Sequence, residues 1–251
     1  MAAKPYNQAL VDLLGRVAAR RGDHQLSPYF QARPVQNRLL LVISADRGLC
    51  GSYNHNINRR AAQTLEESNA GVKLITVGRR SRDHFKRRGV DIYDEFINLG
   101  ENVNLELART LGRIARYEFD SGRVDEVVLV FTQFQSVFIQ QATTFRLLPV
   151  DPVSRDSEEV GNGLYLYEPS PAVIFDSILP RFIDNSLFRA LIESKASEHA
   201  ARVTAMKNAT DNAGDLIEDL TRLYNRVRQS QITREITEIA SGAEALAAAR
   251  S

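Results

Sequence analysis

The sequence predicts an α/β fold in which a mainly parallel β-sheet is followed by one long C-terminal helix. Three strand-like runs, Leu39–Ile43, Val72–Val77 and Glu126–Phe134, are separated by segments with helical periodicity. Strands that alternate with helices form βαβ units and pair in parallel. From about residue 171 to residue 249 no cluster of turn residues interrupts the chain, so this part is predicted to be a single helix.

The elements of the alternating region follow one another in chain order. The first strand-like run is continuously apolar, as expected for a strand that is buried on both faces of its sheet. Apolar residues at helical spacing predict a helix after each of the first two strands and another before the third. The segment Phe138–Leu148 is predicted to add an edge strand. The predicted helices cover Asn54–Ser68, Ser81–Arg88 and Val103–Tyr117.

A short amphipathic helix is predicted near the start of the chain, over Pro5–Arg21. Leu10, Leu13, Leu14 and Val17 lie on one face of it. A polar segment with Gly and Pro residues then leads into the α/β region. The predicted organisation is a leading helix, an α/β domain and a long helix, at residues 1–21, 36–169 and 171–249.

The long helix carries an apolar seam whose residues are spaced alternately by three and four positions, which is the coiled-coil repeat. After Val227 the phase slips by one residue, and the seam resumes at Ile232. Gly214 and Gly242 each cost about 1 kcal/mol relative to alanine inside a helix. A partner must therefore stabilise the helix, in a coiled coil or, alternatively, in a helical bundle. The seam consists of Val203, Met206, Thr210, Ala213, Ile217, Leu220, Tyr224 and Val227, then Ile232, Ile236, Ile239, Ala243 and Leu246.

The composition argues against several classes of protein. With 32 basic and 31 acidic residues, the chain lacks the basic excess typical of a nucleic-acid-binding protein. Its one cysteine allows no internal disulfide or cysteine-based zinc site, and the four histidines lack metal-ligand spacing. No apolar run reaches the roughly 18 residues that a membrane span needs. We therefore expect a soluble chain that could still join a membrane through a partner.

The sharpest local motif is the Gly-rich loop Ser44–Gly51, directly after the first strand. Such a turn can hold a phosphate on its backbone N–H groups, although this one matches neither common phosphate-binding pattern. A tight turn with positive φ at Gly48 and Gly51 explains the glycines equally well. Cys50 could be a nucleophile if a histidine lay beside it, but a structural role is favoured. Asp46 and Arg47 could order the loop by pairing with each other.

The chain resembles the gamma subunits of F-type ATP synthases, and two segments carry the resemblance. Ser44–Gly51, with the letters SADRGLCG, is similar to the SDRGLCG loop of that family. The second segment is Glu193–Ala245, whose end, ITREITEIASGA at Ile232–Ala243, closely fits the C-terminal motif of the family. The resemblance extends from about Ala2 to Ala247. The matched loop residues are Asp46, Arg47, Gly48, Cys50 and Gly51.

The resemblance implies a Rossmann-like foot domain and two antiparallel helices that form a coiled-coil shaft. It implies a rotor subunit that does no bond chemistry and needs no cofactor or metal. The shaft would run through the ring of alpha and beta subunits, while the foot would bind the epsilon subunit and the membrane c-ring. Proton or sodium flow through the membrane ring would thereby drive ATP synthesis. The implied location is the cytoplasmic face of the bacterial inner membrane, without direct membrane insertion.

The resemblance also implies contact residues on the shaft. Gln229 and Thr233, with Arg228 nearby, match the residues that meet a loop of the beta subunit, and Lys207 lies in a matching Met-Lys-rich segment. Members of the family normally begin with a long N-terminal helix, whereas this sequence begins at the short segment Met1–Tyr6. Most of the partner helix of the shaft is therefore expected to be missing from this sequence. The alternative function is that of an α/β enzyme that binds a nucleotide at Asp46–Gly51.

Overall fold

The computed structural model of the chain describes residues 28–31, 33–68, 70–150 and 171–248. The chain divides into two compact units, Met1–Thr204 and Ala205–Ser251. The predicted leading helix at residues 1–21 lies outside the described residues, so the predicted boundaries of the three parts stay predictions.

A five-stranded sheet forms the centre of the first unit. Its strands are β1 (Asn37–Ile43), β2 (Gly71–Val77), β3 (Ile92–Phe96), β4 (Glu126–Phe134) and β5 (Gln140–Leu148), in the spatial order β3-β2-β1-β4-β5. The first four strands are parallel, and β5 pairs antiparallel with β4. The chain order reverses between β1 and β4, which makes this the switch point of a doubly wound sheet.

Within the described residues, four α-helices accompany the sheet: α1 (Tyr53–Glu66), α2 (Arg79–Lys86), α3 (Leu105–Asp120) and α4 (Pro171–Ala248), with a 3-10 turn at Pro28–Phe30. Helices α1 and α2 pack on one face of the sheet, and α3 packs on the other face together with the first part of α4. The 78-residue helix α4 includes Pro180. None of the helices in the four described ranges is long and apolar enough to cross a membrane.

The central strand β1 shows why this sequence forms a three-layer fold. Leu39 and Leu41 belong to the core beneath α3 and α4, whereas Leu40 and Val42 belong to the core beneath α1 and α2. All four side chains are fully buried. Successive side chains of a strand point to opposite faces, so a continuously apolar strand is covered on both sides. The predicted α/β class, mainly parallel sheet and long C-terminal helix are confirmed.

Strand β3 is absent from the sequence-based prediction. It lies at an edge of the sheet, and its side chains alternate between half-buried and exposed. Asp94 and Glu95 give the segment the polarity of a loop, and its five residues are few for a periodic pattern. Pairing with β2 therefore forms this strand where local apolarity does not indicate one.

The carboxylate of Glu118 in α3 is fully buried against the sheet. Its Oε2 lies 2.6 Å from Lys73 Nζ, and its Oε1 accepts a hydrogen bond of 3.0 Å from the Tyr93 hydroxyl. Arg123 lies 3.4 Å from the same carboxylate. Burial raises the pKa of Glu118, but the hydrogen bonds and the two cationic charges outweigh it, so the pKa is below its ordinary value. The folded protein therefore favours the charged form.

We expect Glu118→Gln to lower the free energy of unfolding at neutral pH by about 2 kcal/mol, because hydrogen bonds to a charged group contribute roughly this much. The folded-state pKa is lower than the unfolded one, so this contribution is present above about pH 4.3 and is lost as the pH falls through the folded-state pKa. Urea unfolding should show the two proteins converging in acid. Glu106→Gln is the control, because Glu106 pairs with Arg109 on the surface. An equal loss in both variants would contradict the prediction.

Candidate functional site

The loop after β1 is held by hydrogen bonds from Asp46. Its Oδ1 accepts from the backbone N–H of Arg79 at 2.9 Å, and its Oδ2 accepts from the backbone N–H of Leu99 at 2.7 Å. This carboxylate therefore joins the loop to the start of α2 and to the segment after β3. The expected Asp46–Arg47 pair does not form, because Asp46 binds these amides and Arg47 pairs with Glu101 at 3.2 Å.

The first backbone N–H groups of α2 are all used by the chain itself. Arg80 N donates to the carbonyl of Ala45 at 3.1 Å, and Ser81 N donates to Ser44 Oγ at 3.0 Å. Together with the Asp46 contact, these bonds take up the donors that an anion would use at a helix N-terminus. A phosphate at this position would have to displace a carboxylate and two further acceptors, so the geometry does not favour a nucleotide cradle.

The glycines of the loop have different roles. Gly51 has a φ of 55°, as predicted, but the second positive φ is at Leu49, with 60°, and the prediction for Gly48 is wrong. Gly48 instead lies against the Arg80 guanidinium, where a Cβ would be 2.6 Å from Nη2. One glycine thus serves the turn, and the other allows close approach of a side chain.

Cys50 is a buried part of the loop. Its Sγ accepts a hydrogen bond from Asn54 Nδ2 at 3.0 Å and packs in a small cluster with Ala45, Tyr53 and the nearby Ala201. Burial raises the pKa of the thiol, and the charge of Arg202 opposes this only in part. A protonated, buried thiol is a poor nucleophile, so the geometry favours the structural role.

Helix α4 occupies the carboxyl edge of the sheet, where other doubly wound proteins bind ligands. Thr132 near the end of β4 donates its backbone N–H to Ser194 Oγ at 3.3 Å, and its carbonyl accepts from Ser197 Oγ at 3.5 Å. Tyr53 is buried beside these residues, and burial raises the pKa of its hydroxyl. The crevice at the switch point is thus filled by the protein's own helix.

A cleft of about 260 Å³ remains between the ends of β1 and β3 and helix α4. Lys195 and Glu198 of α4 line it, and Lys195 Nζ lies 3.4 Å from Glu198 and 3.6 Å from Glu101. Lys195 is therefore paired with two carboxylates at this cleft. Within the parts of the chain that the structure describes, no group of three or more His, Cys, Asp or Glu residues could hold a metal ion.

The predicted contact residues lie on the second unit, which contains the last part of α4. Lys207, Arg228, Gln229 and Thr233 are all exposed. Gln229 and Thr233 are one helical turn apart, and Thr233 Oγ1 donates to the Gln229 carbonyl at 2.9 Å. Lys207 precedes Gln229 by about 33 Å of helix, at 1.5 Å per residue. One small partner loop therefore cannot contact both.

The apolar seam of the second unit is exposed. Its large side chains from Met206 to Ile239 have 37–73% of their surface exposed, as do Leu216 and Leu223 beside it. An exposed apolar stripe of this length is typical of a surface that another helix or protein covers. Its exposed members from position 206 onward are Met206, Ile217, Leu220, Tyr224, Val227, Ile232, Ile236 and Ile239.

The sequence did not single out the polar side chains of α4 that contact the sheet and its loops. Arg202 pairs with Glu198 at 2.7 Å, and this spacing of four residues is visible in the sequence. Its second contact, with the carbonyl of Gly48 at 3.4 Å, spans 154 residues. No local pattern could have indicated it.

Comparison with known proteins agrees with this architecture. A family model described as ATP synthase matches residues 1–246. The ATP synthase gamma chain of Pelotomaculum thermopropionicum is 43% identical over 246 residues, which cover 98% of this chain and 86% of the relative.

Two solved structures share the fold. A chain of the Euglena gracilis mitochondrial ATP synthase, in a structure of OSCP, F1 and c-ring, aligns with a TM-score of 0.66 and 18% identity, over 100% of this chain and 93% of that chain. A chain of the Tetrahymena thermophila central stalk and c-ring aligns with a TM-score of 0.58 and 22% identity, over 84% and 100%. On the strength of the family model and its gamma-chain relatives, this chain belongs to the gamma chain family of ATP synthase.

Proposed function

We propose that the chain is the rotor subunit that couples proton flow through a membrane ring to ATP synthesis in a catalytic ring. Its partners are the alpha and beta subunits of that ring, the epsilon subunit and the membrane c-ring. It acts at the cytoplasmic face of the bacterial inner membrane, as a peripheral part of the complex. It carries out no bond chemistry of its own.

The observation that carries this proposal is the exposed apolar seam of the second unit. Residues such as Leu220, Tyr224 and Val227 recur at coiled-coil spacing, and each is more than half exposed. Burying apolar surface contributes about 25 cal/mol per Å², so covering the seam stabilises whatever complex covers it. A shaft that binds a partner helix and the inside of a protein ring needs an apolar surface of this kind for its partners to cover.

The non-catalytic role is supported by what fills the sheet's crevice. The loop that could have held a phosphate binds the chain's own amides through Asp46. Helix α4 occupies the switch point, and the Cys50 thiol is held in its protonated form. The chemistry would then belong to the catalytic ring.

The proposed coupling is allosteric. A shaft that presents different side chains in different directions makes different contacts with each beta subunit around it. A contact can shift a conformational equilibrium only if it is stronger in one conformation than in another. Gln229 can donate and accept hydrogen bonds, and the Thr233 hydroxyl, which already donates within the helix, can still accept one. These two side chains therefore suit a contact that a moving loop makes and breaks.

Reconstitution with alpha and beta subunits tests the proposal. We expect this chain to co-purify with them and to support ATP hydrolysis by the complex. Gln229→Leu with Thr233→Val should reduce turnover about thirtyfold, because two hydrogen bonds of roughly 1 kcal/mol each are lost. The measurement is the steady-state rate of ATP hydrolysis per complex.

The control for these substitutions is Gln231→Leu with Thr221→Val. Gln231 is two residues from Gln229 and so points to the opposite side of the helix. Thr221 makes the same backbone contact as Thr233, with the carbonyl of Ile217 at 2.7 Å. Equal turnover in both double variants would show that the proposed side chains make no functional contact. ATP binding and turnover by the chain alone would favour the nucleotide-binding enzyme instead.

A further inference from the structure

A short stretch of α4 is tied to the carboxyl edge of the sheet by side chains that contact backbone groups. Ser194 and Ser197 both bond to Thr132 in β4, one as acceptor and one as donor. Lys195 Nζ donates to the carbonyl of Gly100, in the segment after β3, at 3.3 Å. All of these residues belong to the first unit.

Arg202 adds a contact with the loop after β1. Its Nη2 donates to the carbonyl of Gly48 at 3.4 Å and to Glu198 Oε1 at 2.7 Å. The Glu198 carboxylate is buried, with only 7% of its side chain exposed, and it also lies 3.4 Å from Lys195 Nζ. Glu198 thus holds both cations in place, and each cation reaches a different loop.

These hydrogen bonds hold the helix from different directions around its axis. The two serines lie against β4, while Lys195 and Arg202 reach the loops after β3 and β1. Rotation of the helix about its own axis, or sliding along it, would break several of these bonds at once. The small side chain of Ala201 lets the helix pack directly against the cluster of Cys50 and Tyr53.

We propose that Ser194, Lys195, Ser197, Glu198 and Arg202 form a helix anchor that prevents α4 from turning on the sheet. The anchor rests on the proposed rotor function, since a rotor must pass torque between its foot and its shaft without slipping. Lys195, Glu198 and Arg202 are positioning residues, which act through the placement of the helix. The loop after β1, Ser44–Gly51, is part of the same attachment, because it presents the Gly48 carbonyl that Arg202 binds.

The test compares two arginines of the same helix in the assembled complex. Arg202 pairs with Glu198 four residues earlier and also binds Gly48, whereas Arg222 pairs with Glu218 four residues earlier. We expect Arg202→Ala to raise the hydrogen-exchange rates of the loop amides at 47–51 about fivefold, as loss of one hydrogen bond implies. It should also increase the angular fluctuations of a bead attached to the first unit, while the catalytic ring is immobilised. Unloaded ATP hydrolysis should keep its rate, and Arg222→Ala should change none of these quantities.

The outcomes separate the anchor from the rotor function. If the unsubstituted chain forms no ATPase complex with alpha and beta subunits, the rotor function itself fails. If the complex forms and Arg202→Ala matches Arg222→Ala in exchange and in angular fluctuation, the anchor is overturned. Arg202→Lys provides a second comparison should the alanine variant not assemble. It keeps a positive charge beside Glu198, but the shorter lysine side chain does not reach the Gly48 carbonyl that Arg202 Nη2 binds. The same increases in exchange and fluctuation are therefore expected.

Discussion

Gly78→Ala is expected to lower the free energy of unfolding by about 4 kcal/mol, which is a large part of the stability of most domains. Gly78 follows β2 with a φ of 104°, a conformation that side chains other than that of glycine rarely adopt. A Cβ there would overlap the backbone carbonyl of Ser44 and lie 2.7 Å from Ser44 Oγ. Strain and overpacking each cost about 1–3 kcal/mol. Urea unfolding followed by circular dichroism measures the loss.

Gly89→Ala is the matched control for this prediction. Gly89 also has a positive φ, of 70°, but nothing lies within 4 Å of a Cβ built there. Its substitution should cost about 1 kcal/mol through the backbone conformation alone. If the two variants lost the same stability, the close approach of Gly78 to Ser44 would have no energetic importance.

Leu220→Asp with Val227→Asp is expected to weaken assembly with the alpha and beta subunits at least about a hundredfold. Both side chains are more than half exposed in the chain alone, so the variant should keep its fold. In the proposed complex the seam is covered, and burying an unpaired carboxylate there costs several kcal/mol. The measurement is the amount of complex formed at increasing subunit concentration.

The control for the seam adds the same charge to the polar side of the helix. Asn208→Asp with Asn225→Asp introduces two carboxylates at exposed positions that do not belong to the seam. This variant should assemble like the unsubstituted chain. Equal loss of assembly in both double variants would indicate a general charge effect and would contradict the role of the seam.

Local pattern predicts much of this fold because the core strands and helices have clear periodicity. The continuous apolar run of β1 and the uninterrupted helix α4 are visible in short windows of sequence. Strand β3 is different, because its edge position leaves it with polar side chains and pairing with β2 defines it. A short stretch of sequence around β3 does not contain β2, the partner strand that defines it.

The candidate site also combines features that a short stretch of sequence reveals with contacts between distant residues that it does not reveal. The spacing of the seam predicts an exposed apolar stripe, since a helix alone determines which residues share a face. The loop motif was open to two interpretations, because a glycine-rich turn looks alike whether it binds a phosphate or its own chain. The hydrogen bonds that Asp46 accepts from Arg79 and Leu99 determine the geometry of the loop. They join residues that are 33 and 53 positions apart in the sequence. The Gly48 carbonyl that Arg202 binds is still more remote, at 154 residues.

The small cleft beneath α4 has a pharmacological consequence. A compound that entered these roughly 260 Å³ would meet Lys195 and Glu198, two of the side chains that hold the helix. Under the proposed rotor function it would compete with no substrate, so raising the ATP concentration would not displace it. It would instead displace helix α4 from the sheet, and its potency would depend on the size of that displacement. Screening for such compounds would therefore need a mechanical readout or an assembly assay.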